Sequence, residues 1–448
     1  MAVFTDWEFD VYSVYIKYNV IFFDDKEIIN MVEKINELIG KKTVKNGVWL
    51  YLLQIFNTVI PLLTLPYITR ILGSSQYGIF SIAVNIIGYY QVVVEYGFAM
   101  SATRKVAVSD HNKVEMDKTF SCVLWARVIL LALCVVITGM YIFLNLAQLS
   151  QCVCLVILMI TVLGNCVQLN WLFQGMENTK YISLTNIIAR MISVVLVLLF
   201  VKKTSDLYLY CLLYSVSPFV SGCLGLLFAH KEYDIRLIHV SFSDVWSELK
   251  EGWYVFTTQL SSKVFGAIGI TFLGIFASHS EVGIYSAIQK IPNILMLVWS
   301  PVSQVLYPIS SKKMKESEKM GAQFVSKCKK IFLPLFALVA VVCALISKPM
   351  LEIAFGQEYA VKAYWIIPLL AWVVVGIYNN FSGIQTLLAG GYDKEYSNCF
   401  QIGVVFTILS NLILIYLFKG DGACIAPLLS ECVLGFLLSK EVNKIRKR

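Results

Sequence analysis

GVWLYLLQ, residues 47–54, leads through an apolar run to SQYGIFS, residues 75–81, and the chain repeats this design 205 positions further on. The second copy opens as GWYVFTTQ at Gly252–Gln259 and closes as SEVGIYS at Ser280–Ser286. Over the 35 positions of 47–81 no gap is needed: Gly47 falls on Gly252, Tyr51 on Phe256, Gln54 on Gln259, Ser75 on Ser280, Gly78 on Gly283, Ile79 on Ile284, Phe80 on Tyr285 and Ser81 on Ser286. Identities are few, so the ungapped register carries the case for an internal repeat. Each copy is a long apolar stretch, a short polar turn and a second apolar stretch. If an even number of spans separates them, both enter a membrane from the same side. The halves are then parallel repeats about an axis along the bilayer normal, a layout in which transporters bind substrate between halves near the midplane.

The composition agrees with a membrane setting. Of 448 residues 58% are hydrophobic and 15% charged, and the mean hydropathy is +0.71. Soluble chains carry roughly 45–50% and about 25%. Repeated runs of 18 or more apolar residues predict an all-α polytopic membrane protein, and the alternating ten-residue segments of a barrel are absent. The net charge is +8, but residues 1–40 hold three lysines against eight carboxylates, a net −5, so residues 41–448 carry +13. These cations sit in short loops, where they signal topology rather than nucleic acid. Most of the twelve cysteines lie in apolar runs without a CxxC pair, and the four histidines are scattered, so neither a disulfide framework nor a metal site is indicated. No cleavable signal peptide opens the chain.

Residues 1–40 stand apart. Val11–Phe23 reads as strand and Asp25–Ile39 as an amphipathic helix, so this is either a soluble extension or an upstream start, with Met31 opening the functional chain. Beyond Lys41 about twelve spans are expected, at 47–72, 77–101, 119–144, 151–173, 181–201, 207–229, 253–277, 282–308, 331–347, 361–389, 396–418 and 422–439. The domain plan is a six-helix lobe over 41–230, a linker over 231–252 with a short interfacial helix near Val245–Leu249, a second six-helix lobe over 253–440, and a basic tail over 441–448. The two lobes surround a central cavity. Lys and Arg concentrate on one side, above all Lys312, Lys313, Lys315, Lys319, Lys327, Lys329 and Lys330, which places both termini in the cytoplasm.

Polar groups inside the spans point to the site, because hydrocarbon makes them expensive. Span 1 carries Gln54, Asn57 and Thr58 on one face, followed by Pro61 and Pro66. Span 7 carries Gln259, Ser262 and Lys263 at the same spacing, followed by Gly266 and Gly269. Helix-softening sites at matching positions of two halves suggest discontinuous helices around a transport site; the plainer reading is interhelical hydrogen bonding. At about 1.5 Å per residue Arg190 lies roughly 14 Å into span 5, Lys263 about 15 Å into span 7 and Lys290 about 12 Å into span 8. Only Glu431 is comparably deep among the carboxylates, and one carboxylate neutralises one cation. The surplus predicts an anionic ligand, for which lysine acts as a point charge and arginine as a fork. Glu431, together with Glu95 and Arg104 nearer the inner face, is a candidate for ion coupling or for structural pairing. No nucleotide loop, zinc-protease motif or hydrolase elbow occurs, and no outer loop exceeds about 15 residues, too few for a catalytic domain.

Three segments carry a family resemblance. NGVWLYLLQIFNTVIPLLTLPYITRILGSSQYGIFSIA (Asn46–Ala83), VEYGFAMSATRKVA (Val94–Ala107) and WLFQGMENTKYISLTNIIARMIS (Trp171–Ser193) resemble bacterial flippases for lipid-linked oligosaccharides. These export O-antigen, capsule or exopolysaccharide repeat units and belong to the multidrug/oligosaccharidyl-lipid/polysaccharide exporter superfamily. The resemblance implies two six-helix lobes and a cationic cavity that moves undecaprenyl-diphosphate-linked oligosaccharide from the inner to the outer leaflet of the bacterial cytoplasmic membrane. Arg190 sits where the family motif often has a basic residue.

The expectation is therefore a flippase, not an enzyme, without cofactor or metal, driven by an ion gradient or the membrane potential. Arg190, Lys263 and Lys290 would hold the diphosphate, and Gln54, Asn57, Gln259, Ser262 and Asn293 would line the sugar path. Its partners would be the lipid-linked substrate, membrane lipids, and the polymerase and glycosyltransferases of the same pathway, with the chain a monomer and no nucleic acid bound. The alternatives are a cation-coupled multidrug exporter of the same superfamily, which would favour cavity carboxylates, and a membrane enzyme of glycan assembly.

Overall fold

The computed structural model describes residues 42–109 and 112–445. The expectations for residues 1–40, and for the last three residues of the basic tail, lie outside the described residues. Among those described every regular element is helical, and ten stretches are long and apolar enough to cross a membrane. Helices are required there, because hydrocarbon offers backbone groups no partner but one another.

Two of the stretches are too long for one crossing. Lys42–Glu95 has 54 residues, about 80 Å at 1.5 Å each against a hydrocarbon core of about 30 Å. It breaks at Gly73, where φ 73° and ψ 171° suit a residue without a side chain. The break separates α1 (42–72) from α2 (74–95). Asp393–Ile445 likewise breaks at Lys419, with φ 52°, into α16 (393–418) and α17 (420–445). Between them run α3 (Phe98–Val108), α4 (Lys113–Leu144), α5 (Leu149–Val167), α6 (Asn170–Gly175), α7 (Thr179–Phe200), α8 (Leu207–Tyr233), α9 (Phe242–Phe276), α10 (His279–Ile288), α11 (Lys290–Glu316), α12 (Glu318–Leu345), α13 (Ser347–Phe355), α14 (Gln357–Ala360) and α15 (Ile366–Ser382), the last continued by a π-helical turn, Gly383–Leu388.

Several boundaries differ from the sequence reading. The linker helix is not separate. A capping box, with Ser241 Oγ accepting from Asp244 N and the Asp244 carboxylate from Ser241 N, starts α9 at Phe242, and that helix runs on into the membrane. The lysine-rich 310–330 segment is not a loop either: α11 and α12 extend through it and reverse at Ser317. The tail is helical to Ile445. Pro61 and Pro66 sit inside α1, and Gly266 and Gly269 inside α9, without breaking either helix. The interruptions fall instead at Gly73 and at its repeat mate Ser278, the N-cap of α10.

The repeat explains how the halves meet. A Cβ on Gly78 would lie 1.7 Å from the His279 carbonyl oxygen, and a Cβ on Gly283 would lie 2.0 Å from the Ser74 carbonyl oxygen. Ser74 is the mate of His279 and Gly78 of Gly283, so the contact is reciprocal, as a two-fold interface requires. Here α2 and α10 cross backbone to backbone. The largest core cluster spans this crossing, joining Ile68–Val94 to Leu273–Ile288 and Leu351–Leu370. Close to it Ser74 Oγ lies 2.6 Å from Ser280 Oγ, and Ser74 N donates to Glu358 at 3.0 Å. We call this the turn end.

At the opposite, linker end the symmetry lapses. Gly252 packs against Tyr96, 2.9 Å from a Cβ position to the Tyr96 carbonyl oxygen, and Tyr96 stacks on Phe256 with centroids 4.5 Å apart. Lys105 bridges Glu248 at 2.5 Å and Glu251 at 3.0 Å. Gly47, the mate of Gly252, meets nothing within 4 Å. The α2–α9 seam is closed, whereas α1 and α11 share no comparable packing among the described residues.

Candidate functional site

A cavity of about 480 Å³ lies between the lobes. Its walls are α1, α2, α7 and α8 from the first half and α9, α10 and α11 from the second. Arg190, Lys263, Lys290 and Asn293 all line it. Three basic residues more than 70 positions apart in sequence, or on different helices, thus face one space. Arg190 belongs to the first lobe and the two lysines to the second, so an anion held by all three would span both. No Asp or Glu is found among the described residues that line this cavity.

Each basic group is placed by its own helix. The Lys263 ammonium reaches α2, 5.6 Å from the Tyr89 ring centroid, and fits because position 88 is glycine: a Cβ there would lie 2.4 Å from Lys263 Nζ. Beside it Asn85 Nδ2 donates to Thr271 Oγ1 at 2.9 Å, and Tyr89 Oη lies 3.0 Å from the same oxygen. Lys290 opens α11 at the Gln289 junction after α10 and remains accessible within the cavity. Its repeat mate is Asn85, so the pseudo-symmetric pair offers one amide and one ammonium to the cavity.

The other candidate residues sit elsewhere. Gln54, Gln259 and Ser262 are not in the cavity lining, and Ser262 Oγ donates to its own helix at Thr258 O, 3.0 Å. The side chains of Asn57 and Thr58 lie outside the described residues. Glu431 forms no ion pair with Lys263 or Lys290; its carboxylate accepts from Asn379 Nδ2 at 2.6 Å inside the second lobe. Glu95 and Arg104 are exposed towards the linker end, and Arg104 lines a second pocket there with Lys105, Lys118, Asp244 and Glu248. In that pocket burial pushes the Glu248 carboxyl up against the opposing pull of Lys105, and the Lys118 hydrogen bond holds Asp244 down at about 2.

Sequence reasoning missed the wall of the cavity nearest the crossing. Phe80, Tyr210 and Tyr214 form it, with ring centroids 4.5 Å (Phe80–Tyr210) and 5.2 Å (Phe80–Tyr214) apart, and Ser81 and Ser286 line the same cavity. The signal was present: the two tyrosines are spaced i, i+4 on α8, and the two serines are the last matched pair of the repeat.

Residues 43–314 match the polysaccharide biosynthesis protein family. The chain belongs to that family. A protein of Escherichia coli (strain K12) named for O-antigen transport is 27% identical over 399 residues, covering 88% of this chain and 95% of that protein. A protein of Haloferax volcanii named as a glycan biosynthesis flippase is 21% identical over 87% of this chain and 81% of that protein. Among solved structures, the lipid II flippase MurJ in an inward closed conformation aligns with TM-score 0.67 at 13% identity, over 89% of this chain and 87% of that one. An inward-facing multidrug transporter of the MATE family aligns at 0.63, also 13% identical, over 87% and 99%. At such identity both likenesses concern fold, and they match the two-lobed helical fold described for this polysaccharide biosynthesis protein.

Proposed function

We propose that this polysaccharide biosynthesis protein is a flippase that carries undecaprenyl-diphosphate-linked oligosaccharide from the inner to the outer leaflet by alternating access. One observation carries the reading: three basic residues from both lobes line one intramembrane cavity that has no carboxylate in its described lining. Each such charge costs about 2.5–3.5 kcal/mol at mid-bilayer on insertion scales unless water, a partner or a ligand compensates it. A diphosphate is the ligand that repays several at once, by charge-assisted hydrogen bonds to Arg190 and point-charge attraction to Lys263 and Lys290. The names borne by the relatives favour glycan export over drug export, and the missing carboxylates argue against a cavity built for cationic drugs.

The gap between α1 and α11 suits a cargo whose polyprenyl tail stays in lipid while its head is enclosed. The lysine and arginine skew supports a linker end and both termini in the cytoplasm of a bacterial inner-membrane protein. Transport draws on an ion gradient or the membrane potential, and Glu431 is the intramembrane carboxylate available to couple it. The polymerase and glycosyltransferases of the same pathway are the partner enzymes.

Proteoliposomes containing an undecaprenyl-diphosphate-linked oligosaccharide test the reading. Wild-type protein is expected to bring the glycan within reach of an externally added lectin, whereas Arg190→Ala/Lys263→Ala protein, reconstituted in equal amount, is not. Wild-type rates in the double variant would refute the charge assignment, and an inactive wild type would refute the flippase.

A further inference from the structure

We infer that the turn-end half of the cavity is a carbohydrate subsite, in which the Phe80, Tyr210 and Tyr214 wall and the Ser286 hydroxyl receive the sugar attached to the diphosphate. The inference rests on the flippase reading and specifies where its glycan sits. The cavity is chemically divided along its depth. Lys263 is mid-way along α9, and Lys290 and Asn293 lie seven and ten residues, about 10 and 15 Å, beyond Gly283, while Ser81 and Ser286 lie only three residues, about 4.5 Å, from the Gly78–Gly283 crossing. A head group that enters from the linker end, sugar leading and phosphate trailing, thus brings its sugar to the serines and aromatic rings while the phosphate stays level with the lysines.

Ser286 is the informative residue. It is 4% exposed, it belongs to the cavity lining, and its Oγ has no hydrogen-bond partner. A helical serine in apolar surroundings ordinarily turns its hydroxyl to the carbonyl four residues back, and its repeat mate does so: Ser81 Oγ donates to Tyr77 O at 2.8 Å. An idle hydroxyl in a low-dielectric wall is unfavourable. A sugar hydroxyl is the neutral group that can both donate to it and accept from it, whereas a phosphate would be drawn to the three cations. In the same cavity the rings of Tyr210 and Tyr214 offer an apolar body with a polar tip, a surface suited to a pyranose, which has an apolar face and a polar rim.

The test compares two probes on purified full-length protein in nanodiscs: bare undecaprenyl diphosphate, and undecaprenyl diphosphate bearing one N-acetylhexosamine. The wild type is expected to prefer the sugar-bearing probe. Ser286→Ala and Tyr214→Leu are each expected to weaken its binding about five- to ten-fold, the usual scale of one hydrogen bond or one ring contact, and to leave the bare lipid unchanged. Unchanged affinity for the bare lipid also certifies that the variants are folded. Equal binding of the two probes by wild type, or variants that hold the sugar-bearing probe as tightly as wild type, would overturn the subsite. Arg190→Ala separates the two readings: it should weaken both probes alike, and a wild type that binds neither probe rejects the flippase itself.

Discussion

Single residues set the limits of this site, and two glycines show how differently they do so. A Cβ on Gly88 meets only the far end of the Lys263 side chain, 2.4 Å from Nζ, whereas a Cβ on Gly78 meets a backbone carbonyl at 1.7 Å. Flexible lysine can retreat; a helix backbone packed on another helix cannot. Gly88→Ala is therefore expected to change thermal stability by less than about 1 kcal/mol while lowering transport, because it moves the ammonium from its place. Gly78→Ala should destabilise by about 1–3 kcal/mol, the range for overpacking, and uncouple the halves; a melting temperature like that of wild type would contradict the crossing. Much of this scale was legible in the sequence. Arg190, Lys263 and Lys290 lie in one cavity because mid-span charge is costly enough to be diagnostic. Gln54, Gln259 and Ser262 do not, because neutral polar groups on a helix face serve interhelical or local hydrogen bonds as readily as a pore.

Elements show where sequence patterns run out. Hydropathy finds the membrane-length segments but not their ends, since α9, α11 and α12 continue as helices well beyond the apolar runs, into charged sequence. What sets the start of α9 is a cap: Ser241→Ala should cost about 1 kcal/mol of helix stability, read as a lower melting temperature. The first turns of α9 then fasten it to α3 and α4 through Lys105–Glu248, Lys105–Glu251 and Lys118–Asp244 at 2.5, 3.0 and 2.8 Å. Burial raises the Glu248 carboxyl, so the folded state favours its protonated form. The cost of holding it charged is present at neutral pH and falls away as pH drops through the raised value. Wild type is therefore expected to gain stability relative to Glu248→Gln as pH falls from about 7 to about 5, followed by parallel thermal melts; a difference that is flat with pH would show that Glu248 does not titrate there. Lys105 responds to the same pair: burial pulls its ammonium down, but Glu248 and Glu251 together hold it above the ordinary lysine value.

At the scale of the whole molecule the structure is two repeats locked at one end and asymmetric at the other. The turn end is closed by the crossing, by Ser74 with Ser280 and Glu358, and by Arg70 hydrogen-bonded to the Ile353 carbonyl. Alternating access requires that this end part. On a background with the twelve native cysteines replaced, Ser74→Cys and Ser280→Cys should cross-link across the seam, arrest transport, and release it again on reduction. Undiminished transport by the cross-linked protein would show that the seam stays shut during the cycle. The parallel arrangement was readable from the offset of 205 together with an even number of expected spans between the copies. The one-sided opening was not, because nothing in matched sequence distinguishes Gly47 from Gly252 until the neighbours of each are known.

The glycine crossing has a consequence for how such a chain can change over time. Neither helix there tolerates a side chain at its glycine, so both copies are bound to the same letter, and a change in one is felt by its twin. One turn or more away the copies are released from each other: in the register of the repeat Asn85 matches Lys290, Gly88 matches Asn293, and Thr58 matches Lys263. A duplicated frame pinned at a single point can thus keep its balance while its interior diverges, and it is divergence of that kind that gives a symmetric shell a lopsided lining, fit for a cargo that has a head and a tail.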